Sequence, residues 1–399
     1  MRSLGTEVLG LFPSFARIGG IEGSGRVAWQ GITKCGLRNA DGGVGNAGCQ
    51  LRNSKVEILR AHLFCYGRDD GRLAAEDNPA VLGPWPSVTR TVFAASKLEA
   101  VAAALRMRWP VHLVLVWHLR LLKLLPFFRI PNARVVLFLH GIEAWKPQDW
   151  LTRLLLRRVD LFLSNSKHTW QRFLLFNPEF KGAPHRTVYL GACSPVDTPI
   201  LAPAHPPVVL MISRLRRGED YKGHREIIAT WPLVLQRMSD AELWIAGDGD
   251  LQQELEQIVR EVGLSHRIRF YGRVSEGEKQ SLLARCRCLA MPSRAEGFGL
   301  VYLEAMRLGR PCLVSTVDAG REVVNPPEAG LAVDPNHPAE VAQALCRLIS
   351  NSPEWDGWSV QARQRYERRF TAQHFQRRLT SALFSVCLDA DRRRLTRVE

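Results

Sequence analysis

A chain of 399 residues is long for one hydrophobic core and comfortable for two domains. Its 46% apolar and 23% charged residues are ordinary globular usage, and apolar runs such as 113–117 and 135–139 are far too short to cross a bilayer; together these predict a soluble, cytoplasmic protein. The formal net charge of +15 is uneven, with 26 Lys and Arg against 14 Asp and Glu in the first 200 residues and 28 against 25 in the rest, so the N-terminal half suits an anionic partner.

In chain order, residues 8–12, 111–117, 135–140, 161–165 and 187–190 read as strands. Helices are predicted at 26–34, 97–107 and 150–158. Residues 35–54 break this pattern with a glycine-rich polar stretch. Five prolines between 194 and 207 mark a linker. Beyond it the alternation is clean. Strands are predicted at 208–212, 242–246, 268–271, 288–291, 311–315 and 330–333. Helices are predicted at 224–238, 251–262, 276–285, 300–308 and 338–349. A final amphipathic helix, 370–388, should pack near the hinge.

Alternation of this kind implies an α/β fold: two Rossmann-like, doubly wound domains facing across a cleft. The expected boundaries are 1–195 for the acceptor-side domain, 196–207 for the linker, 208–369 for the donor-side domain and 370–399 for a helix returning toward the hinge. Ligands in such sheets bind where the strands' carboxyl ends lead into helices.

Several features do not carry chemistry. Gly43-Val-Gly-Asn-Ala-Gly48 fits a dinucleotide pattern, but neither a strand before it nor an apolar helix after it supports that reading. Asp248-Gly-Asp250 resembles a metal signature; Asp250 is expected instead to cap the helix at 251–262. The nine cysteines lack paired spacing, so neither a disulfide framework nor a zinc site is expected. No nucleic-acid motif accompanies the basic charge. The segment 120–129, RLLKLLPFFR, alternates cations with bulky apolar residues as an interfacial helix would, which suggests peripheral contact with an anionic membrane.

The chemistry concentrates elsewhere. In Glu296-Gly-Phe-Gly-Leu-Val301 a glycine turn opens a helix that carries Glu304. The turn offers bare backbone N–H groups to an anion, with one carboxylate beside it and one in the helix. That set suits a ligand with both phosphate and hydroxyl groups. Upstream, Arg214 follows a strand and Lys222 precedes a helix, a pair of cations able to clamp a diphosphate. His140 ends a strand of the N-terminal half. Gly19 and Gly20 follow the first strand, where backbone can approach a phosphate closely.

This ordered set resembles the retaining GT-B-fold glycosyltransferases of family 4. The matching pieces are Gly-Gly-Ile-Glu22, His140-Gly141, Ser164-Asn-Ser166, Arg214, Lys222-Gly223, Gly247-x-Gly249, Phe270-x-Gly272, Glu296-Gly-Phe-Gly299 with Glu304, and Gly309-x-Pro311. The resemblance implies transfer of a hexosyl unit from a nucleoside-diphosphate sugar to an acceptor hydroxyl of a glycan or lipid-linked acceptor, with retention and without metal or cofactor. It gives Glu304 to the ribose hydroxyls and Glu296 to the donor sugar. It gives the backbone of Gly297, Phe298, Gly299, Leu300 and Val301 to sugar or phosphate. Arg214 and Lys222 would neutralise the leaving diphosphate, Gly19 and Gly20 would cover it, and His140 would lie beside the sugar. A front-face route would use the leaving phosphate as base; Glu296 as a covalent nucleophile is the alternative. Ser213 departs from the family's usual glycine before the arginine. A nucleotide-sugar epimerase and a non-catalytic nucleotide-sugar-binding subunit are the competing functions.

Overall fold

The computed structural model describes residues 4–13, 20–35, 56–66, 88–94, 96–108, 110–193, 195 and 199–395. Gly19, the glycine-rich residues 36–54 and part of the linker lie outside these. Contacts divide the chain into two units, Met1–Gly191 with Ala372–Glu399 and Ala192–Thr371.

The first unit is built on seven strands: β1 (Leu4–Phe12), β2 (Val56–Tyr66), β3 (Val88–Ala94), β4 (Leu113–Val116), β5 (Arg134–Leu139), β6 (Leu161–Ser164) and β7 (His185–Thr187). All pairings are parallel, in the order β3-β2-β1-β4-β5-β6-β7. Strands such as Leu113–Val116 are buried along their whole length, as a parallel sheet covered on both faces requires. β2 and β3 were not expected from the sequence, and β7 begins two residues before the expected strand.

An aromatic cluster fills this core. Trp117 lies tilted against Phe138 at 4.5 Å and against Phe12 at 5.5 Å, and Phe12 meets Trp29 edge-on at 5.7 Å. The C-terminal helix, Ala372–Leu395, belongs to this same unit. It buries Phe375, Leu379, Ala382 and Leu383, a helical stripe, and Phe375 reaches Trp117 and Phe138. Gln376 Nε2 donates to Val27 O at 3.1 Å and Arg378 Nη1 to Tyr189 O at 2.7 Å.

Leu119–Phe127 is a 3-10 helix whose Leu119, Leu121, Leu122 and Leu125 are buried. The expected interfacial helix is therefore corrected: Leu121, Leu122 and Leu125 belong to the protein core, leaving Arg120, Lys123, Pro126 and Arg129 exposed. No helix of the described residues is long and apolar enough to cross a membrane.

The second unit has six strands: β8 (Val208–Ile212), β9 (Glu242–Ala246), β10 (Ile268–Gly272), β11 (Cys288–Met291), β12 (Cys312–Ser315) and β13 (Gly330–Val333). They too are parallel, ordered β10-β9-β8-β11-β12-β13. This is the 3-2-1-4-5-6 order of a doubly wound sheet, as are the first six strands of the other unit. The helices lie close to their expected positions: His224–Leu235, Gln252–Glu261, Glu276–Arg285, Leu300–Arg307 and Pro338–Ile349. One more, Pro353–Arg369, starts at Ser352, whose side chain accepts from Trp355 N, and buries Trp355, Trp358, Ala362 and Tyr366.

Candidate functional site

The order of the second sheet reverses between β8 and β11, which are adjacent. Loops leaving the carboxyl ends of two such strands diverge to opposite faces and open a crevice between them. The loop after β8 carries Arg214 and Lys222. The loop after β11 carries Glu296 and runs into Leu300–Arg307, which carries Glu304.

The two loops are fastened together. Arg294 N donates to Tyr221 O at 2.9 Å. Gly223 has φ +90°, and a Cβ there would stand 2.9 Å from Pro292 O, so the close approach requires glycine. Across this seam Lys222 Nζ lies 2.6 Å from Glu296 Oε2, with both side chains mostly buried. Burial penalises both charges, but each offsets it for the other. Glu296 is therefore held below its ordinary 4.5 and Lys222 above its ordinary 10.5.

Glu296 is also held by its backbone. Asp318 Oδ2 accepts from Glu296 N at 3.3 Å, Asp318 Oδ1 accepts from Gly320 N at 2.9 Å, and Glu296 O accepts from Ala319 N at 3.1 Å. Asp318 is buried. Burial and then the Glu296 charge push its carboxyl well above the usual range.

The turn between Glu296 and the helix ends at Gly299, φ +87°. A Cβ there would strike the Tyr302 ring at 2.3 Å, and that ring is pinned by Tyr302 Oη donating to Met291 O at 2.8 Å. No side chain caps the helix start, so the first amides, at Leu300 and Val301, meet no internal acceptor from the cap residue. Gly297 and Phe298 amides turn toward the Glu296 carboxylate; Phe298 N stands 3.5 Å from Oε1.

One turn into the helix, Glu304 Oε1 accepts from Lys279 Nζ at 2.9 Å, and Lys279 reaches Glu276 at the same distance. Lys279 rides on Glu276–Arg285, whose start is fixed by a reciprocal Ser275–Glu278 capping box. Despite Lys279, burial leaves the Glu304 carboxyl above its ordinary value.

Arg214 is 63% exposed and pairs with Glu219 at 2.7 Å. The loop holding it is packed on glycines. A Cβ at Gly247 would fall 1.7 Å from Ser213 O, and one at Gly249 would fall 2.2 Å from Leu215 O. Ser213 N donates to Ala246 O and Leu215 N to Asp248 O. Asp250 does not cap the next helix, as the sequence suggested. That helix starts after Leu251 without a side-chain cap, and Asp250 Oδ1 accepts from Arg217 N at 3.0 Å, because the Arg214 loop reaches the carboxylate first.

His140 belongs to the first unit, at the end of β5. Its ring packs on Phe138 at 4.8 Å and Trp117 at 4.9 Å, and Nε2 donates to Trp117 O at 2.7 Å. Burial lowers its pKa to about 4, so at neutral pH the ring is uncharged with Nδ1 as an acceptor. Asn165 Nδ2 holds the His140 carbonyl at 2.6 Å. Gly20 is the first residue of the helix Gly20–Cys35.

Of the expected residues, the second unit brings Arg214, Lys222, Glu296, Gly297–Val301 and Glu304 to one switch point. Lys279, Asp318, Glu219 and His224 were not anticipated. The capping-box spacing Ser275-x-x-Glu278 would have located the helix that carries Lys279. Among the described residues no three His, Cys, Asp or Glu side chains are grouped to hold a metal ion.

Residues 206–351 match the family model for glycosyl transferases group 1. An uncharacterized glycosyltransferase of Methanocaldococcus jannaschii is 33% identical over 144 residues, 36% of each protein. A GDP-mannose-dependent monoacylated alpha-(1-6)-phosphatidylinositol monomannoside mannosyltransferase of Corynebacterium glutamicum is 27% identical over 63% of this chain and 70% of its own. The chain thus spans about a third of the Methanocaldococcus relative's length and 70% of the Corynebacterium relative's. The Anabaena protein HepE, solved with UDP and glucose, superposes with a TM-score of 0.67 at 19% identity, over 95% of this chain and all of its own. The two doubly wound units share the fold of the GT-B structures they superpose on, and residues 206–351, over a third of the chain, are similar to group 1 glycosyltransferases.

Proposed function

We propose that the protein is a retaining, metal-independent glycosyltransferase that moves a hexosyl unit from a nucleoside-diphosphate sugar to an acceptor hydroxyl. The observation that carries this reading is the Lys222–Glu296 pair at the β8/β11 switch point, beside an uncapped helix start. A diphosphate arriving there finds Lys222, Arg214 and the Leu300 and Val301 amides. Glu296, partnered by Lys222, accepts from donor-sugar hydroxyls. Glu304 accepts from the ribose, and hydroxyl donors there relieve a carboxylate that burial disfavours.

In the reaction the anomeric carbon–phosphate oxygen bond breaks and the bond to the acceptor oxygen forms on the same face. The acceptor proton passes to the departing phosphate oxygen. The protein supplies positioning and charge stabilisation, chiefly from Lys222 and Arg214. His140 enters as a neutral acceptor toward a sugar hydroxyl rather than as a cation.

A lipid-linked or glycan acceptor is supported by the phosphatidylinositol mannoside named for the Corynebacterium relative. Exposed Arg120, Lys123 and Arg129, with Trp150 at 76% exposure, favour peripheral contact with the anionic inner face of a membrane. Failure to sediment with anionic vesicles at low salt would remove that part alone.

The central test incubates the protein with UDP-, GDP- and ADP-sugars and a panel of acceptors, with and without EDTA. Acceptor-dependent release of nucleotide, with an axial or equatorial product matching the donor, is expected. Donor binding without transfer would favour the non-catalytic subunit. Donor isomerisation without an acceptor would favour the epimerase.

A further inference from the structure

Ser213 and His224 form a contact that the proposed chemistry does not yet use. Ser213 is the first residue after β8, directly before Arg214. His224 opens the helix His224–Leu235, two residues after Lys222. Across the eleven residues that separate them, His224 Nε2 lies 3.1 Å from Ser213 Oγ, and Ser213 Oγ donates to Arg214 O at 3.1 Å. The serine proton is committed to that carbonyl, so the imidazole is the donor to the serine oxygen.

His224 is fully buried, and its Nδ1 has no hydrogen-bond partner among the described residues. The charged groups facing the ring are Lys222 and Asp220, and burial together with the lysine lowers its pKa to about 4. A buried polar ring with one unsatisfied nitrogen costs stability relative to an apolar side chain of similar size. What the ring does in return is make one bond, to Ser213.

We propose that Ser213 and His224 are positioning residues that tie the Arg214 peptide to the helix start carrying Lys222, so that the two cations meet a diphosphate as one preset unit. The geometry around them agrees. On its other side the Arg214 segment is held by backbone bonds to Ala246 and Asp248, with glycines at 247 and 249 allowing the contact. The Ser213–His224 bond closes the remaining side of the loop. A long, largely exposed arginine needs a fixed root more than a buried lysine does, since its own partner, Glu219, leaves the guanidinium in water. Small displacements of such groups lower rates by orders of magnitude.

This inference rests on the nucleotide-sugar reading, and the experiment separates the two. Binding of UDP, GDP, ADP and inorganic pyrophosphate is titrated by calorimetry for the wild type, Ser213→Ala, Ser213→Thr, His224→Phe and the Ser213→Ala/His224→Phe pair. Thermal midpoints are recorded alongside. For the best nucleotide, Ser213→Ala and His224→Phe are each expected to weaken affinity about tenfold. The double variant should be no weaker than the weaker single, and Ser213→Thr, which keeps the hydroxyl, should restore binding to within about threefold. Turnover should fall along with affinity in the alanine and phenylalanine variants while their thermal midpoints shift little. Unchanged affinity and turnover in both single variants would overturn the tie, as would strictly additive losses. A wild type that binds none of the three nucleotides would overturn the nucleotide-sugar reading itself, and the tie with it.

Discussion

Lys222 Nζ and Glu296 Oε2 stand 2.6 Å apart although 74 residues of chain separate them. The carboxylate expected to grip a sugar and the cation expected to grip a phosphate are therefore one ion pair before any ligand arrives. It couples the loops after β8 and β11, and neither residue can be changed without removing the other's buried counter-charge.

Lys222→Met should destabilise the second unit by about 3 kcal/mol, because it leaves a buried carboxylate without its cation. Adding Glu296→Gln should recover much of that loss in urea unfolding, while activity stays abolished. A double variant as unstable as the sum of the singles would show that the pair is not the linkage.

The same pair sets a pH window. Glu296 titrates below its ordinary 4.5 when folded, so its contribution is present above 4.5 and lost as pH falls through the folded value. Lys222 titrates above 10.5, so its contribution is present below 10.5 and lost as pH rises through the folded value. Unfolding free energy measured against pH should lose the pair's contribution only at these two ends, and Lys222→Met/Glu296→Gln should flatten both losses.

Glu304 runs the other way. Its free carboxyl titrates above 4.5, and ribose hydroxyls favour the ionised form, so the bound value is lower. Nucleotide binding should release protons in mildly acidic buffer and weaken as pH falls. Calorimetry in two buffers of different ionisation enthalpy measures this directly, and Glu304→Gln should abolish the proton release.

His140 should contribute no inflection near its ordinary 6.5 to the pH–rate profile, since the ring stays neutral down to about 4. His140→Ala should lower kcat by about 10²-fold without moving the remaining inflections. An inflection near 6.5 that disappears in this variant would contradict the neutral assignment.

Gly247→Ala should cost about 3 kcal/mol, since φ is +141° and the new Cβ would fall 1.7 Å from Ser213 O. The loop carrying Arg214 must then move, so nucleotide affinity should fall along with the thermal midpoint.

Much of the second unit was legible because its strands are short apolar runs separated by helices with regular apolar spacing. Leu300–Arg307, for instance, buries Tyr302, Leu303, Ala305 and Met306 behind a glycine start. The helix Pro353–Arg369 was missed although Trp355, Trp358, Ala362 and Tyr366 keep helical spacing, because the polar residues between them dilute the pattern. β2 and β3 sit after segments whose composition hides any period. Asp250 looked like a cap on local spacing alone; the competing acceptor need of Arg217 N, 33 residues earlier, has no local sign. Lys279 and Asp318 were invisible for the same reason: what makes them part of the site is the carboxylate or amide brought to them by a different strand.

The helix Ala372–Leu395 has a consequence for synthesis. The first sheet is made early, yet the side chains that cover Trp117 and Phe138 lie at Phe375 and beyond, after the entire second unit has been translated. The second unit, one unbroken stretch, can close while its predecessor still exposes an aromatic face. Vectorial folding is thereby inverted: the part that begins first is finished last. A chain truncated after residue 371 and released from the ribosome should display a protease-resistant second unit beside a susceptible first one.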